Sequence, residues 1–163
     1  MPEQTIENSI ADVLTGDAQH NALEFIAYLR ASEMLFERGK GYWENKLYWM
    51  IKYKDEYVCF ILVGAEEKPG PDPWTIWSDD SGSNCFEDFP LDEHLKEVAW
   101  KNVDICGNCG GCGNPEGKRK TIFGKEFINV CRTTLRFTNP DTGELKFMKK
   151  MVEIRKNDIL GNI

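Results

Sequence analysis

Three regularly spaced cysteines are the residues in this sequence whose types and positions point most directly to chemistry. They lie in Cys106-Gly-Asn-Cys109-Gly-Gly-Cys112-Gly-Asn-Pro115. Thiolates with this spacing bind tetrahedral zinc or an iron–sulfur cluster, because Cys-x-x-Cys lets two sulfurs approach one metal without strain. Glycine adopts positive φ readily, so the backbone here can turn back and direct the sulfurs at one point. The segment predicts a metal site, with zinc as the first choice and an iron–sulfur cluster as the alternative.

A stable site of this kind needs a fourth ligand, and the loop itself offers none. A ferredoxin-type run would continue with cysteine at position 116, where this chain has Glu116. Cys131 is the nearest cysteine along the chain, and we predict it as the fourth ligand. Cys85 and His94 are the alternatives. Cys59 lies inside an apolar run that is typical of a core strand.

Thiol redox chemistry is the competing interpretation of the same loop. Both Cys106 with Cys109 and Cys109 with Cys112 have the spacing that closes a disulfide, although the surroundings are not a thioredoxin-type βαβ unit. The basic residues 118–120 follow the loop directly, and their charges would favour the thiolate form for metal binding and for redox chemistry alike. An ordinary solvated basic turn explains these residues equally well. Phosphate-loop and Ser/His/Asp patterns are missing, so we assign no catalytic residues and favour a protein that is not an enzyme.

Aromatic residues in the middle of the chain form a second candidate site. The set consists of Tyr42, Trp43, Trp49, Trp74 and Trp77. These are too many for one small core to bury with every N–H and O–H satisfied. They predict an apolar pocket for a small hydrophobic or aromatic ligand. Packing between sheet and helices is the alternative explanation for any single member.

Hydrophobic periodicity predicts an α+β domain over residues 1–163, in which an antiparallel sheet packs against helices. Leu47, Trp49 and Ile51 alternate with more polar residues, which predicts a strand within the aromatic block 42–53. Further strands are predicted at 57–63 and 74–78, and extended segments at 123–130 and 133–137. Helices are predicted at 6–14, from an Asn21–Glu24 capping box to about residue 39, from Asp92 to about 102, and from Asn139-Pro140 to about 156.

Charge and composition exclude several classes of function. The net charge of −7 argues against direct binding of nucleic acid or an anionic membrane. The longest apolar run, Val58 to Val63, is too short to cross a bilayer, and we expect no membrane association. Six cysteines without a secretion signal indicate the reducing cytoplasm. The last third is basic, which either balances the acidic remainder or provides a face for an anionic partner.

Several motifs resemble a set of uncharacterised proteins of anaerobic Gram-positive bacteria. The matching stretches are Tyr48-Trp49-x-Ile51-x-Tyr53-Lys54, Trp74-Thr75-Ile76-Trp77, the cysteine loop, and Phe123-Gly124-Lys125-Glu126-Phe127-x-x-Val130-Cys131. The first half also resembles small α+β domains of the YdhG-like type. Some such segments occur beside helix-turn-helix regulators. The resemblance implies a sensing or binding module with a regulator as partner, and it assigns no catalytic residues.

Overall fold

The computed structural model describes residues 5–39, 47–63, 74–79, 84–105 and 117–161. The elements in chain order are α1 (Ile6–Val13), α2 (Gly16–Ala31), β1 (Leu35–Arg38), β2 (Leu47–Tyr53), β3 (Glu56–Val63), β4 (Trp74–Ser78), α3 (Glu93–Lys101), β5 (Val103–Ile105), β6 (Lys118–Ile122), β7 (Lys125–Thr138) and α4 (Thr142–Leu160). None of the helices in these ranges is long and apolar enough to cross a membrane.

Within the described ranges, seven strands form one sheet in the order β1-β2-β3-β4-β7-β5, with β6 paired to β7 outside this path. Every pair is antiparallel, which confirms the predicted α+β class. Strands β2, β3 and β4 follow one another where the sequence predicted them. The long strand β7 then joins the two parts of the sheet, because it pairs with β4 near its end and with β5 and β6 before that.

The main hydrophobic core lies on the face of the sheet that the helices cover. Trp49, Ile61, Ile76 and Phe137 form one cross-strand row, and all four are buried. Phe137 meets Phe147 of α4 with ring centroids 5.7 Å apart. Burying each of these side chains contributes roughly 1.5–3 kcal/mol. This row therefore fixes how α4 sits on the sheet.

The second helix lies earlier in the chain than its capping box indicated. α2 begins at Gly16, so Asn21 is inside the helix rather than at its start. The helix ends at Ala31, and Glu33 takes a φ of 66° that turns the chain into β1. The predicted extension to about residue 39 was wrong because Leu35–Arg38 instead pairs with β2 at the edge of the sheet.

The later elements show one confirmed boundary and two corrections. Asp92 caps α3 as predicted. Helix α4 begins two residues later than predicted, since Asp141 is its N-cap, in place of Asn139, and forms a capping box with Glu144. The interpretation of 118–120 as a basic turn was wrong, because Lys118–Ile122 is a strand paired with β7.

A buried arginine ties α4 to the hairpin of β2 and β3. The Arg155 residue is only 3% exposed. Its Nε donates a hydrogen bond of 2.9 Å to the carbonyl oxygen of Tyr57, and its Nη1 donates one of 2.7 Å to Asp158. A carboxylate oxygen of Glu56 lies 3.8 Å from Nη2. Burial of this charge is tolerated because the guanidinium is both paired and hydrogen-bonded.

We expect Arg155→Met to lower the free energy of unfolding by about 2–4 kcal/mol, because a buried carbonyl and a carboxylate lose their charged donor. Chemical denaturation measures this loss. Arg30→Met is the matched control, since Arg30 pairs with Glu7 at the surface and such pairs contribute about 1 kcal/mol or less. Equal losses in the two variants would contradict the role given to Arg155.

Candidate functional site

Strand β7 carries a bulge of four residues, 131–134, where it passes β5. Two register pairs flank it: Val103–Leu135 and Ile105–Val130. The four residues of β7 between these pairs therefore stand opposite Asp104 alone. Thr134 takes a φ of 71°, in the left-handed region that non-glycine residues rarely adopt. Bulges interrupt the ladder and redirect side chains, and they are frequent beside functional sites. We call residues 131–134 the β7 bulge.

Both ends of the segment that carries the three cysteines are attached next to the β7 bulge. Ile105, the last described residue before that segment, pairs with Val130 on one edge of β7. Lys118, close to its other end, pairs with the same Val130 on the opposite edge. Neighbouring strands lie about 4.8 Å apart, so these two attachment points are roughly 10 Å from each other. The segment leaves and rejoins the sheet at one place.

The returning end approaches β7 closely. The backbone N–H of Gly117 donates to Oδ1 of Asn129 at 3.0 Å. A Cβ at position 117 would lie 2.4 Å from the carbonyl carbon of Asn129, so this contact requires glycine. Asn129 has a φ of 58°, which presents its side chain to the incoming chain. The cysteine segment is therefore anchored to β7 by backbone contacts as well as by strand pairing.

Of the four predicted metal ligands, Cys131 lies within the described residues. Cys131 is the first residue of the β7 bulge and is half-buried. Cys106 is bonded directly to Ile105, which the register places opposite the residue before Cys131. Cys109 and Cys112, like Cys106, lie outside the described residues. In the part of the chain that is described, no group of three or more His, Cys, Asp or Glu side chains is placed to hold a metal.

The remaining candidates differ in their surroundings. Cys85 is buried in the segment that follows β4, and His94 is exposed on α3. Cys59 is fully buried in β3, as its apolar context predicted. Burial raises the pKa of the Cys59 thiol, and the carboxylate of Asp79 adds to the effect. This thiol is therefore held protonated, which suits a core residue rather than a ligand.

Polar side chains from neighbouring strands complete the surroundings of the β7 bulge. Thr134 is buried, and its Oγ1 accepts a 2.6 Å hydrogen bond from Nζ of Lys120 on β6. The backbone N–H of Leu135 donates to Oγ of Ser78 at 3.1 Å. Strand β4 ends at Ser78, so this hydroxyl supplies the acceptor that a longer strand would have provided.

Two buried carboxylates near this region were not identified from the sequence. Asp79 follows β4 and is 7% exposed, and Asp104 is 5% exposed in β5. Asp79 is not part of a solvated loop, because the chain remains within the sheet at this position: its N–H donates to the carbonyl of Val58 at 3.0 Å. An acidic residue directly after a short strand with two tryptophans was the available signal.

We expect Ser78→Ala to lower the free energy of unfolding by about 1–3 kcal/mol, because a buried backbone N–H loses its acceptor. Ser9→Ala is the control. Ser9 is equally buried, but its hydroxyl has no hydrogen-bond partner among the described residues. Its replacement should leave stability unchanged or raise it slightly. Denaturant unfolding compares the two variants, and a larger loss for Ser9→Ala would refute this assignment.

The predicted aromatic site residues occupy both faces of the sheet. Trp49 and Trp74 are buried on the face that the helices cover, where Trp74 meets a ring of α2 with centroids 6.3 Å apart. Trp77 is three residues beyond Trp74 in the same strand, so it faces the other way. Tyr42 and Trp43 lie outside the described residues. A pocket that these side chains share therefore stays a prediction.

The face opposite the helices carries its own aromatic contacts. Tyr48 stacks on Phe60 with centroids 6.1 Å apart, and the guanidinium of Arg136 lies 5.4 Å from the ring of Trp77. The ring of Tyr48 also covers Gly39, where a Cβ would lie 1.7 Å from it. Burial raises the pKa of Tyr48 to about 12, with smaller contributions from nearby acidic groups.

This pKa has a consequence for stability at alkaline pH. The Tyr48 pKa is raised in the folded state, so the folded chain holds a proton that the unfolded chain releases above its ordinary value of about 10. Stability should therefore fall as the pH rises from about 10 to 12. Tyr48→Phe should reduce this fall, measured by denaturation across the pH range. An unchanged pH dependence of stability in the variant would contradict the raised pKa of Tyr48.

A comparison of the chain with models of protein families, with curated proteins and with solved structures finds no match. The resemblance described from the sequence motifs therefore stays a prediction, and the function has to be argued from the residues of the site.

Proposed function

We propose that this chain is a non-catalytic ligand-binding or sensing module whose cysteine loop binds a metal ion, with zinc as the metal. Cys106, Cys109 and Cys112 supply three thiolate ligands and Cys131 supplies the fourth. The observation that carries the proposal is the pairing of both ends of the cysteine segment with one residue, Val130. That pairing brings the segment to the strand position directly before Cys131.

The chemistry of the donors fits this arrangement. Four thiolates suit a closed tetrahedral zinc site with Zn–S distances of about 2.3 Å. A ligand on a strand has a fixed backbone, whereas the glycines of the loop let the other three sulfurs adjust to it. Lys118 and Lys120 lie at the same end of β7 and favour the thiolate form. The metal would cross-link the loop to β7 and hold the β7 bulge in register.

Metal analysis of protein purified anaerobically and without chelator tests the proposal. We expect about one zinc per chain, and at least a tenfold lower zinc affinity in Cys131→Ser. Cys59→Ala is the control, because this thiol is buried in the core and should not affect zinc content. A zinc content near zero in the unaltered chain would overturn the proposal.

The same preparation separates the alternatives. If the purified protein is brown and contains iron, the same ligands hold an iron–sulfur cluster instead of zinc. A metal-free protein with a reversible disulfide in the loop would favour the redox interpretation instead. Loss of zinc in Cys85→Ala, with retention in Cys131→Ser, would move the fourth ligand to the segment after β4.

The sensing half of the proposal concerns partners and location. A net charge of −7 disfavours direct DNA binding, so a module of this kind would act on a separate regulator in the cytoplasm. Its ligand would be a small hydrophobic or aromatic molecule bound by Trp77 together with Tyr42 and Trp43. The half-buried rings of Tyr57 and Phe60, which lie beside Tyr48, support an aromatic surface on this face.

A further inference from the structure

A polar cleft of about 300 Å³ opens between β6, the segment 84–87 and Thr134 of the β7 bulge. Ligand pockets in proteins have volumes of roughly 300–1,000 Å³, so this cleft suits a small molecule. Its lining consists entirely of described residues, and it lies apart from the aromatic set considered above. Ligand binding in this cleft would therefore not depend on the metal.

The two walls of the cleft are joined by backbone hydrogen bonds. The N–H of Phe123 donates to the carbonyl of Phe86 at 2.8 Å, and the N–H of Gly124 donates to the carbonyl of Glu87 at 2.9 Å. Trp100 Nε1 also donates to the carbonyl of Ile122 at 2.7 Å. The first two contacts hold the β6–β7 turn against the segment 84–87, and the third holds α3 against the end of β6. The cleft is consequently preformed, which lowers the entropic cost of binding.

The cleft presents two charges of each sign. Arg119 and Lys120 of β6 both line the cleft, and the ammonium of Lys120 donates a hydrogen bond to Thr134. Nε of Arg119 lies 3.6 Å from a carboxylate oxygen of Glu126, which is longer than a hydrogen bond. The guanidinium of Arg119 can therefore donate hydrogen bonds to a second carboxylate. Glu87 provides the carboxylate of the opposite wall.

We propose that this cleft binds a small zwitterion of the α-amino acid class, with its carboxylate on Arg119 and Lys120 and its ammonium on Glu87. An anion without an ammonium group would face Glu87 and Glu126 without compensation. A cation without a carboxylate would face Arg119 and Lys120 in the same way. Only a ligand that carries both charges satisfies both walls.

The lining also bears on the ligand's side chain. Phe86 and Ile122 belong to the lining but are almost fully buried, so polar and charged groups make up most of the surface that a ligand would meet. A small side chain therefore suits the cleft better than a large apolar one, because there is little apolar surface to cover it.

Isothermal titration of the full chain with individual amino acids tests this inference. We use alanine, valine and leucine as probes, with isobutylamine and isovalerate as the analogues that lack one charged group. At least one amino acid should bind with a Kd of about 1 mM or tighter, and both analogues should bind at least tenfold more weakly. Absence of binding by all three amino acids, or equal binding of isovalerate, would overturn the proposal.

Charge-neutralising variants test the assignment of the two walls. Arg119→Gln should weaken amino acid binding at least tenfold and improve the relative binding of isobutylamine. Glu87→Gln should weaken it similarly and improve the relative binding of isovalerate. Lys125→Gln is the control, because Lys125 is exposed on the neighbouring strand and does not line the cleft. All variants should keep their zinc, so failure here leaves the metal proposal intact. Unaltered binding in both cleft variants would refute the assignment.

Discussion

The structure depends on β7 keeping hydrogen-bonded partners on both edges while four of its residues bulge. Val130 has a neighbour on each side, Ile105 and Lys118, immediately before the β7 bulge begins. Buried backbone groups must find partners, and the side chain of Ser78 provides one where β4 has already ended. A shift of register in β7 would break these contacts together. It would also separate Cys131 from the place where the cysteine segment leaves the sheet.

Two regions of the sheet differ in the groups that they bury. Under the helices the core is apolar, and Phe137 and Phe147 illustrate how it is closed. The region around the β7 bulge also carries hydroxyls, buried carboxylates and cations, which stabilise a fold less well than apolar packing does. Such groups persist where they are hydrogen-bonded, as Lys120 and Thr134 are. Stability therefore comes mainly from the apolar core, and the candidate chemistry lies at the polar groups around the β7 bulge.

Local signals predicted much of this architecture. Alternation located β2, the apolar and aromatic runs that follow located β3 and β4, and Asp92 marked the start of α3. The interrupted pattern between 130 and 133 corresponds to the β7 bulge, although period alone could not show that one strand continues through it. Strand β6 was missed because three adjacent cations resemble a solvated turn, while lysine is also common on exposed strands. The spacing of Trp74 and Trp77 shows that they lie on opposite faces of the sheet. Which of these faces the helices cover depends on contacts between residues that are distant in sequence.

The central claim is that Cys131 and the cysteine loop coordinate one metal ion, because strand pairing at Val130 brings the ends of the loop next to Cys131. X-ray absorption at the zinc edge tests it most directly, since it counts the sulfur ligands around the metal. The account predicts four sulfurs at about 2.3 Å in the unaltered chain and three in Cys131→Ser. A zinc site with fewer than four sulfurs in the unaltered chain, or an identical spectrum in the variant, would contradict it.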